Sequence, residues 1–373
     1  MINKRVYAEI DLSKIRKNVI SIRKAVGDSV KIMASVKADA YGHGAIECAR
    51  EIDEIVDAFA VATIDEAIEL RENGFNKRIL VLGYVLPEFY SMAIKRDISL
   101  TVFSFEAAKE LNECALKCGR KAKIHIAIET GMGRIGFYPD ESSIDEIAKI
   151  NSLEYIEIEG VFSHFATADN KDKTYSNKQI DKYMQFVKKI EDAGILIKNK
   201  HLSNSAAVID LPEVCLDMVR VGIILYGLYP SDEVNMSRIP IEPAMSIKSK
   251  VVHIKTLHEG ESVSYGRQFI ATKETKVATV SVGYADGYPR LLSNKGRVII
   301  NGKYANIIGN ICMDQLMIDI TDIENVKIGN DVILMGTQND LEISAEEIAH
   351  YAGTINYEII CGINNRVPRV YVR

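Results

Sequence analysis

Short apolar runs alternate with amphipathic stretches over the first two-thirds of the chain. Eight short β-rich runs predict strands, the first apolar enough to be buried on both faces: Lys31 to Val36, Ala58 to Ala62, Ile79 to Gly83, Ser99 to Phe103, Lys123 to Ile128, Ile156 to Ser163, Lys198 to Leu202 and Asp217 to Val221. Between them, stretches such as Phe105 to Cys118 and Ser176 to Ala193 carry apolar residues at helical spacing and stop near Gly119 and Gly194, where a C-terminal cap belongs. Eight β/α units predict an α/β protein with an N-terminal (β/α)8 TIM barrel over residues 1–240. After Pro240 the pattern changes to strand after strand with glycine turns: Ser246 to Leu257, Lys276 to Val282, Arg297 to Asn301, Ala305 to Ile311, Gln315 to Ile320 and Val332 to Met335. Residues 241–373 therefore predict a mainly β domain with one short helix, Ser344 to Ala352, opened by a capping box of Ser344 and Glu347.

Composition narrows the function classes. The 373 residues carry a formal charge of −5 with mixed signs and no basic tract, which argues against nucleic-acid or anionic-lipid partners. The start of the chain lacks a signal-peptide core, and no later run is long enough to span a bilayer, so a cytoplasmic protein is expected. The six cysteines form neither a metal-site nor a redox spacing. Cys114 and Cys118 share a helix face but have no histidine near them, so neither a metal nor a disulfide is expected.

The candidate chemistry gathers at one end of the predicted barrel. Lys37 closes the first strand and is followed by a glycine-punctuated loop; such a lysine is either an imine-forming amine or a surface cation at a strand terminus. Glu129 to Arg134 follow the fifth strand, His164 the sixth, and Asn204 and Ser205 the seventh. Arg220 lies in the eighth, just before Gly222. Active sites of such barrels stand at the C-terminal strand ends, so this placement favours the imine-forming lysine.

The motifs carry a resemblance. Val36-Lys37-Ala38-Asp39-Ala40-Tyr41-Gly42-His43-Gly44, Thr130-Gly131-Met132-Gly133-Arg134, His164-Phe165-Ala166-Thr167, Asn204-Ser205-Ala206-Ala207 and Val219-Arg220-Val221-Gly222-Ile223 are similar to successive barrel motifs of the fold-type III pyridoxal-phosphate enzymes, the alanine racemase family above all. Ser264-Tyr265-Gly266, Val282-Gly283-Tyr284, Cys312-Met313-Asp314 and Ile355-Asn356-Tyr357 continue the match in order. The resemblance implies pyridoxal 5'-phosphate on Lys37, with Lys37 and Tyr265 as bases on opposite faces of the α-carbon, since racemisation must remove and return a proton on different sides. It implies that His164 links Tyr265 to Arg220, with His201 at the far side. In place of the carboxylate that many pyridoxal-phosphate enzymes set at the ring nitrogen, Arg220 would then weaken the ring as an electron sink and favour return of the proton to carbon.

The same resemblance assigns the phosphate to Tyr41, Ser205, Tyr357 and the backbone of Gly222 and Ile223, with Asn204 in the cofactor set; Tyr41 and Tyr357 also suit ordinary aromatic packing. It assigns the substrate carboxylate to Arg134 and Met313, and a narrow access to Tyr284. It implies a homodimer in which Tyr265, Tyr284 and Met313 act on the other subunit's barrel. His43 and His125 are read as structural.

Two positions depart from the pattern. Ala127 stands where many relatives carry a carbamylated lysine bracing the arginine matched by Arg134, which leaves a bound anion, Glu129 or another neighbour for that job. Asn310 stands where arginine is common. The expected activity is interconversion of L- and D-alanine supplying D-alanine for peptidoglycan, with a serine or broad-specificity racemase as the alternative. A cofactor-homeostasis barrel would lack the second domain. A decarboxylase would call for an acid where Arg220 stands.

Overall fold

The computed structural model describes residues 5–373, which form two compact units. One comprises Ile15–Ala40 and Ala45–Glu242; the other comprises the residues through Lys14, Tyr41–Gly44 and Pro243–Arg373. The division expected near residue 240 thus has exceptions at the start of the chain and just after Lys37.

The first unit is the barrel. Its strands are Lys31–Ser35, Ala58–Val61, Arg78–Val81, Ser99–Val102, Ala122–Ala127, Ile156–Phe162, Lys200–His201 and Met218–Val221. They pair in parallel in chain order, and the first also pairs with the last. The remaining seam is closed by Arg220 N–H donating to Ser203 O at 2.9 Å and Asp217 N–H to Lys200 O at 3.2 Å. The seventh strand is short, and beside it the Asn199 side chain adds to the pairing by donating to Glu159 O at 2.7 Å. Met33, Ala58, Ala60, Leu80 and Met218, from four strands, pack as one buried cluster. The helix Phe105–Cys118 ends on Gly119 in the left-handed region (φ 65°), where glycine has no Cβ to clash.

The second unit is built on the 13-residue strand Met245–Leu257, which pairs antiparallel with Val6–Asp11, Thr275–Val280 and Asp331–Gln338. Val6–Asp11 in turn pairs in parallel with Arg369–Val372. The two ends of the chain are therefore neighbours in one sheet, with ladder partners more than 200 residues away along the chain. Beside this sheet, Leu257, Val263, Ala271, Val277 and Ile308 form a buried cluster, and the ladder of Ser262–Val263 with Phe269–Ile270 is anchored on it. The helix Ala345–Ala352 has only half of its expected capping box. Ser344 Oγ accepts from Glu347 N–H at 3.1 Å, but Arg297 takes the Glu347 carboxylate in a two-pronged pair at 2.8 and 2.9 Å, so it does not reach back. A second helix, Asn356–Gly362, follows.

Candidate active site

Half-buried Lys37 follows the first barrel strand, and the chain then turns with the wrong hand. Ala38, Asp39, Ala40 and Tyr41 all have φ between 51° and 53°. At roughly 1–2 kcal/mol per L-residue, this turn costs about 4–8 kcal/mol. Local bonds offset it. Ala40 N–H donates to Val36 O at 2.8 Å, and Asp39 Oδ1 accepts from Ala45 N–H at 2.7 Å, at the start of the helix Ala45–Ile52. Ala38 N–H donates to Glu66 Oε1 at 2.7 Å, while Glu66 Oε2 closes a capping box with Thr63. One carboxylate thus starts a helix and pins the turn behind the lysine.

Arg220 is 6 % exposed, and most of its hydrogen-bonding capacity is spent inside the barrel. Nη1 donates to His201 Nδ1 and His201 O, each at 2.9 Å; Nη2 donates to Ser163 O at 2.6 Å and faces His164 Nδ1 at 3.3 Å and Leu202 O at 3.4 Å. A guanidinium has five N–H groups. With both Nη groups engaged, Nε–H is the donor left for an incoming acceptor. Burial lowers the Arg220 pKa to about 10, which still leaves it charged at neutral pH.

His164 is held beside this cation. Burial first, and then the charges of Arg220, Arg134 and Lys37, push its pKa down to about 3, so the ring is neutral. These four residues therefore converge at the strand ends. Because Nδ1 accepts from Arg220, the His164 proton sits on Nε2. Gln179, fully buried on the helix Thr174–Asp192, fixes the His164 loop: its Nε2 donates to His164 O at 3.0 Å and Thr130 Oγ1 at 3.2 Å, while its Oε1 accepts from Ala166 N–H at 2.9 Å. Gln179 belongs to none of the sequence motifs. A glutamine at a buried position of an otherwise amphipathic helix was the available signal.

The last two strand ends bring a hydroxyl and a helix start together. Gly222 N–H donates to Ser205 Oγ at 2.9 Å, and Ile223 opens a 3-10 helix, where its N–H has no partner within the helix. Asn204 lies next to Ser205, with its side chain committed as a helix cap: Oδ1 accepts from Ala207 N–H at 3.0 Å.

Glu129 does not brace the Arg134 guanidinium. Its carboxylate accepts from the backbone N–H groups of Gly131 and, at 3.1 Å, of Arg134 itself. Burial opposes its charge, but the loop's backbone donors hold its pKa below the usual carboxylate range. Glu129 thus shapes the loop while the Arg134 side chain is exposed. Ala127 is buried in the adjoining strand, 1 % exposed.

In the second unit, Tyr265, Tyr284 and Met313 are exposed (73 %, 42 % and 52 %) and lie on loops knitted to one another. Tyr284 N–H donates to Cys312 O at 3.1 Å and Ala285 N–H to Met313 O at 3.0 Å. Asn310 Nδ2 donates to Tyr265 O at 2.7 Å, and Ser264 Oγ donates to Asn310 O. Ser264 has φ 65° and ψ −177°, a region that suits glycine, so these bonds hold a strained turn just ahead of Tyr265. Tyr41 and Tyr357 face each other with ring centroids 6.1 Å apart.

Comparison with known proteins agrees with this geometry. Residues 10–230 match the alanine racemase N-terminal domain family and residues 244–371 the alanine racemase C-terminal domain family. An alanine racemase of Clostridium tetani is 51 % identical over 99 % of this chain and 95 % of its own length, and one of Methanococcus maripaludis is 48 % identical over the full length of both. Among solved structures, alanine racemase from Clostridium difficile 630 superposes with a TM-score of 0.95 at 46 % identity, covering 100 % of this chain and 97 % of the other. Alanine racemase from Bacillus anthracis with bound L-Ala-P superposes with a TM-score of 0.94 at 38 % identity, covering 100 % and 96 %. The chain belongs to the alanine racemase family.

Proposed function

We propose that this protein interconverts L- and D-alanine with pyridoxal 5'-phosphate carried on Lys37. The observation that carries the reading is Arg220, a buried guanidinium whose Nε–H is its remaining donor, next to a neutral histidine and a lysine at the strand ends. That site suits the cofactor's ring nitrogen, and Ser205 Oγ–H, held in place by Gly222 N–H, together with the Ile223 backbone N–H suits its phosphate. Tyr41 and Tyr357 complete the phosphate donors in this reading, with Asn204 supporting Ser205 from its cap. When bound, pyridoxal phosphate draws electrons from the alanine α-carbon and acidifies its proton.

The chain's own residues do the rest. Arg220 donates a hydrogen bond to the ring nitrogen but does not surrender its proton, which limits the sink and favours reprotonation of carbon over side reactions. Lys37 Nζ takes or returns the proton on one face. Tyr265 of the partner subunit does so on the other, with His164 Nε2–H as the donor that steadies a phenolate. Arg134 and Met313 of the partner subunit take the substrate carboxylate, and Tyr284 of the partner subunit narrows the access. The homodimer is the catalytic unit, working in the cytoplasm to supply D-alanine for peptidoglycan.

Incubation with pyridoxal phosphate and L-alanine in deuterium oxide tests this reading. D-Alanine carrying deuterium at the α-carbon is expected, and formed much faster than D-serine from L-serine. Deuteration without inversion would remove Tyr265 from the scheme, absence of both would remove the racemase reading, and equal rates with serine would replace alanine specificity by a broader one.

A further inference from the structure

Behind Arg220 a chain of buried polar groups runs through the barrel wall to its opposite end. His201 Nδ1 accepts from Arg220 Nη1, and His201 Nε2 lies 2.7 Å from His125 Nδ1. His125 Nε2 faces Glu159 Oε2 at 3.8 Å. Glu159 Oε2 accepts from Ser99 Oγ at 2.6 Å, and Oε1 lies 3.5 Å from Nε of Arg78, a half-exposed residue at the start of its strand. Glu159, His125 and His201 are each no more than 2 % exposed.

The fold is specifically modified to place these groups. Between the strands Ala122–Ala127 and Ile156–Phe162 the register shifts: Ile124 pairs with Ile158, but His125 pairs with Gly160, so Glu159 is the extra residue of a bulge. A bulge re-aims a side chain. Gly160 then leaves room for the imidazole, since a Cβ there would come within 2.8 Å of His125 Nδ1 and 2.6 Å of Asn199 O. His201 is stacked on Phe162 (centroids 5.2 Å apart, planes at 21°), which fixes its ring plane, and the Arg220 guanidinium lies over the same ring.

Hydrogen bonds along such a chain have a direction. Burying a carboxylate and two imidazoles in a barrel wall is costly unless their interactions are matched. Burial alone would raise the Glu159 carboxyl, but His125, Ser99 and Arg78 hold it down to about 2, so it is an anion. Its field draws the His125 proton to Nε2, leaving Nδ1 as an acceptor. His201 must then donate from Nε2 and present a bare Nδ1 to Arg220. Burial, with Arg220 and His125 beside it, keeps His201 neutral.

We propose that Glu159 is a positioning residue for Arg220, acting through His125 and His201 by fixing which nitrogen of each ring carries the proton. Reversed, the chain would point an N–H of His201 at the guanidinium and push Arg220 away from its station. This deepens the racemase reading and rests on it for its catalytic consequence. The tautomers themselves belong to the chain with or without cofactor.

The test is two-bond 1H–15N spectroscopy of the histidine-labelled protein without cofactor, comparing wild type with Glu159→Gln. His125 and His201 are expected as Nε2–H tautomers in the wild type, with a mixture at His201 in Glu159→Gln and recovery in Glu159→Asp. In the cofactor-loaded protein, kcat should fall roughly tenfold with little change in KM for alanine. An unchanged His201 tautomer in Glu159→Gln would overturn the proposal, as would a bare Nε2 on His201 in the wild type. Should Glu159→Gln not fold, the wild-type tautomers decide: Nε2–H on both His125 and His201 supports the proposal, and Nδ1–H on either ring overturns it. Failure of the wild type to racemise alanine, with the tautomers as expected, would count against the racemase reading instead.

Discussion

Acidification from about pH 7.5 to about pH 5 should destabilise this protein through its buried histidines. His164 is held near 3, and His201 well below its ordinary value, by burial and the Arg220 charge. An unfolded chain restores both to about 6.5. Because the folded values are depressed, the unfolded state binds more protons in this window. Stability is therefore fully present above about 6.5 and is lost as the pH falls below it. At pH 5 His164 contributes about 1.5 units at about 1.4 kcal/mol per unit, or about 2 kcal/mol, and His201 and His125, both lowered by burial, add to the loss in the same direction. Glu159, held at about 2, remains ionised throughout and adds nothing. Urea unfolding at the two pH values is the assay; with a slope of about 3 kcal/mol/M, the midpoint should fall by roughly 0.7 M for His164 alone and further for the other two. The variant His164→Asn should lose the His164 share, about 2 kcal/mol, of that dependence. A midpoint that does not move, or that rises on acidification, would refute the claim that these imidazoles are neutral in the folded barrel.

Other expected outcomes follow from the same geometry. Lys37→Ala should abolish the visible absorbance of lysine-bound pyridoxal phosphate, whereas Tyr265→Phe should keep it and selectively lose the half-reaction from L-alanine; full activity in Tyr265→Phe would remove the two-base assignment. Gln179→Leu strips Ala166 N–H and His164 O of their partner, so kcat should drop by about 1–2 kcal/mol of barrier, roughly 5- to 30-fold, with the cofactor spectrum retained. Gly283→Ala would bring a Cβ within 2.3 Å of Cys312 O and Met313 O, so the Met313 loop must move; a raised KM for alanine in steady-state kinetics is the expected sign, and an unchanged KM would detach that loop from substrate binding.

The barrel was legible because most of its strands are local apolar runs, and a parallel neighbour in chain order follows from β/α alternation; the seventh, within Lys198-Asn199-Lys200-His201-Leu202, is placed by that alternation alone. Val6–Asp11 and Arg369–Val372 leave no local signal of their place in a sheet, because their pairing is decided across more than 200 residues. Lys37, His164, Arg220 and Ser205 were visible through their position at strand ends. The wiring behind them was not. His125 reads as a core histidine on an apolar strand, and Glu159 as one more acid in Ile156-Glu157-Ile158-Glu159-Gly160; only the bulge, which shifts register between neighbouring strands, turns that acid inward. Glu129 was one of several candidates to brace Arg134, and the structure removes it because backbone amides occupy its oxygens. The handedness of Ala38 to Tyr41 leaves no trace in hydrophobic pattern at all.

That turn has a consequence in stereochemistry. Ala38 and Ala40 rest in backbone conformations that D-alanine favours and L-alanine avoids. A semisynthetic protein with D-alanine at both positions should melt later than the natural chain, gaining about 1–2 kcal/mol per site. The same exchange at Ala49, inside the right-handed helix Ala45–Ile52, should cost a similar amount. A chain assigned to the making of D-alanine would thus be steadier for containing its own product, next to the lysine proposed to carry the cofactor.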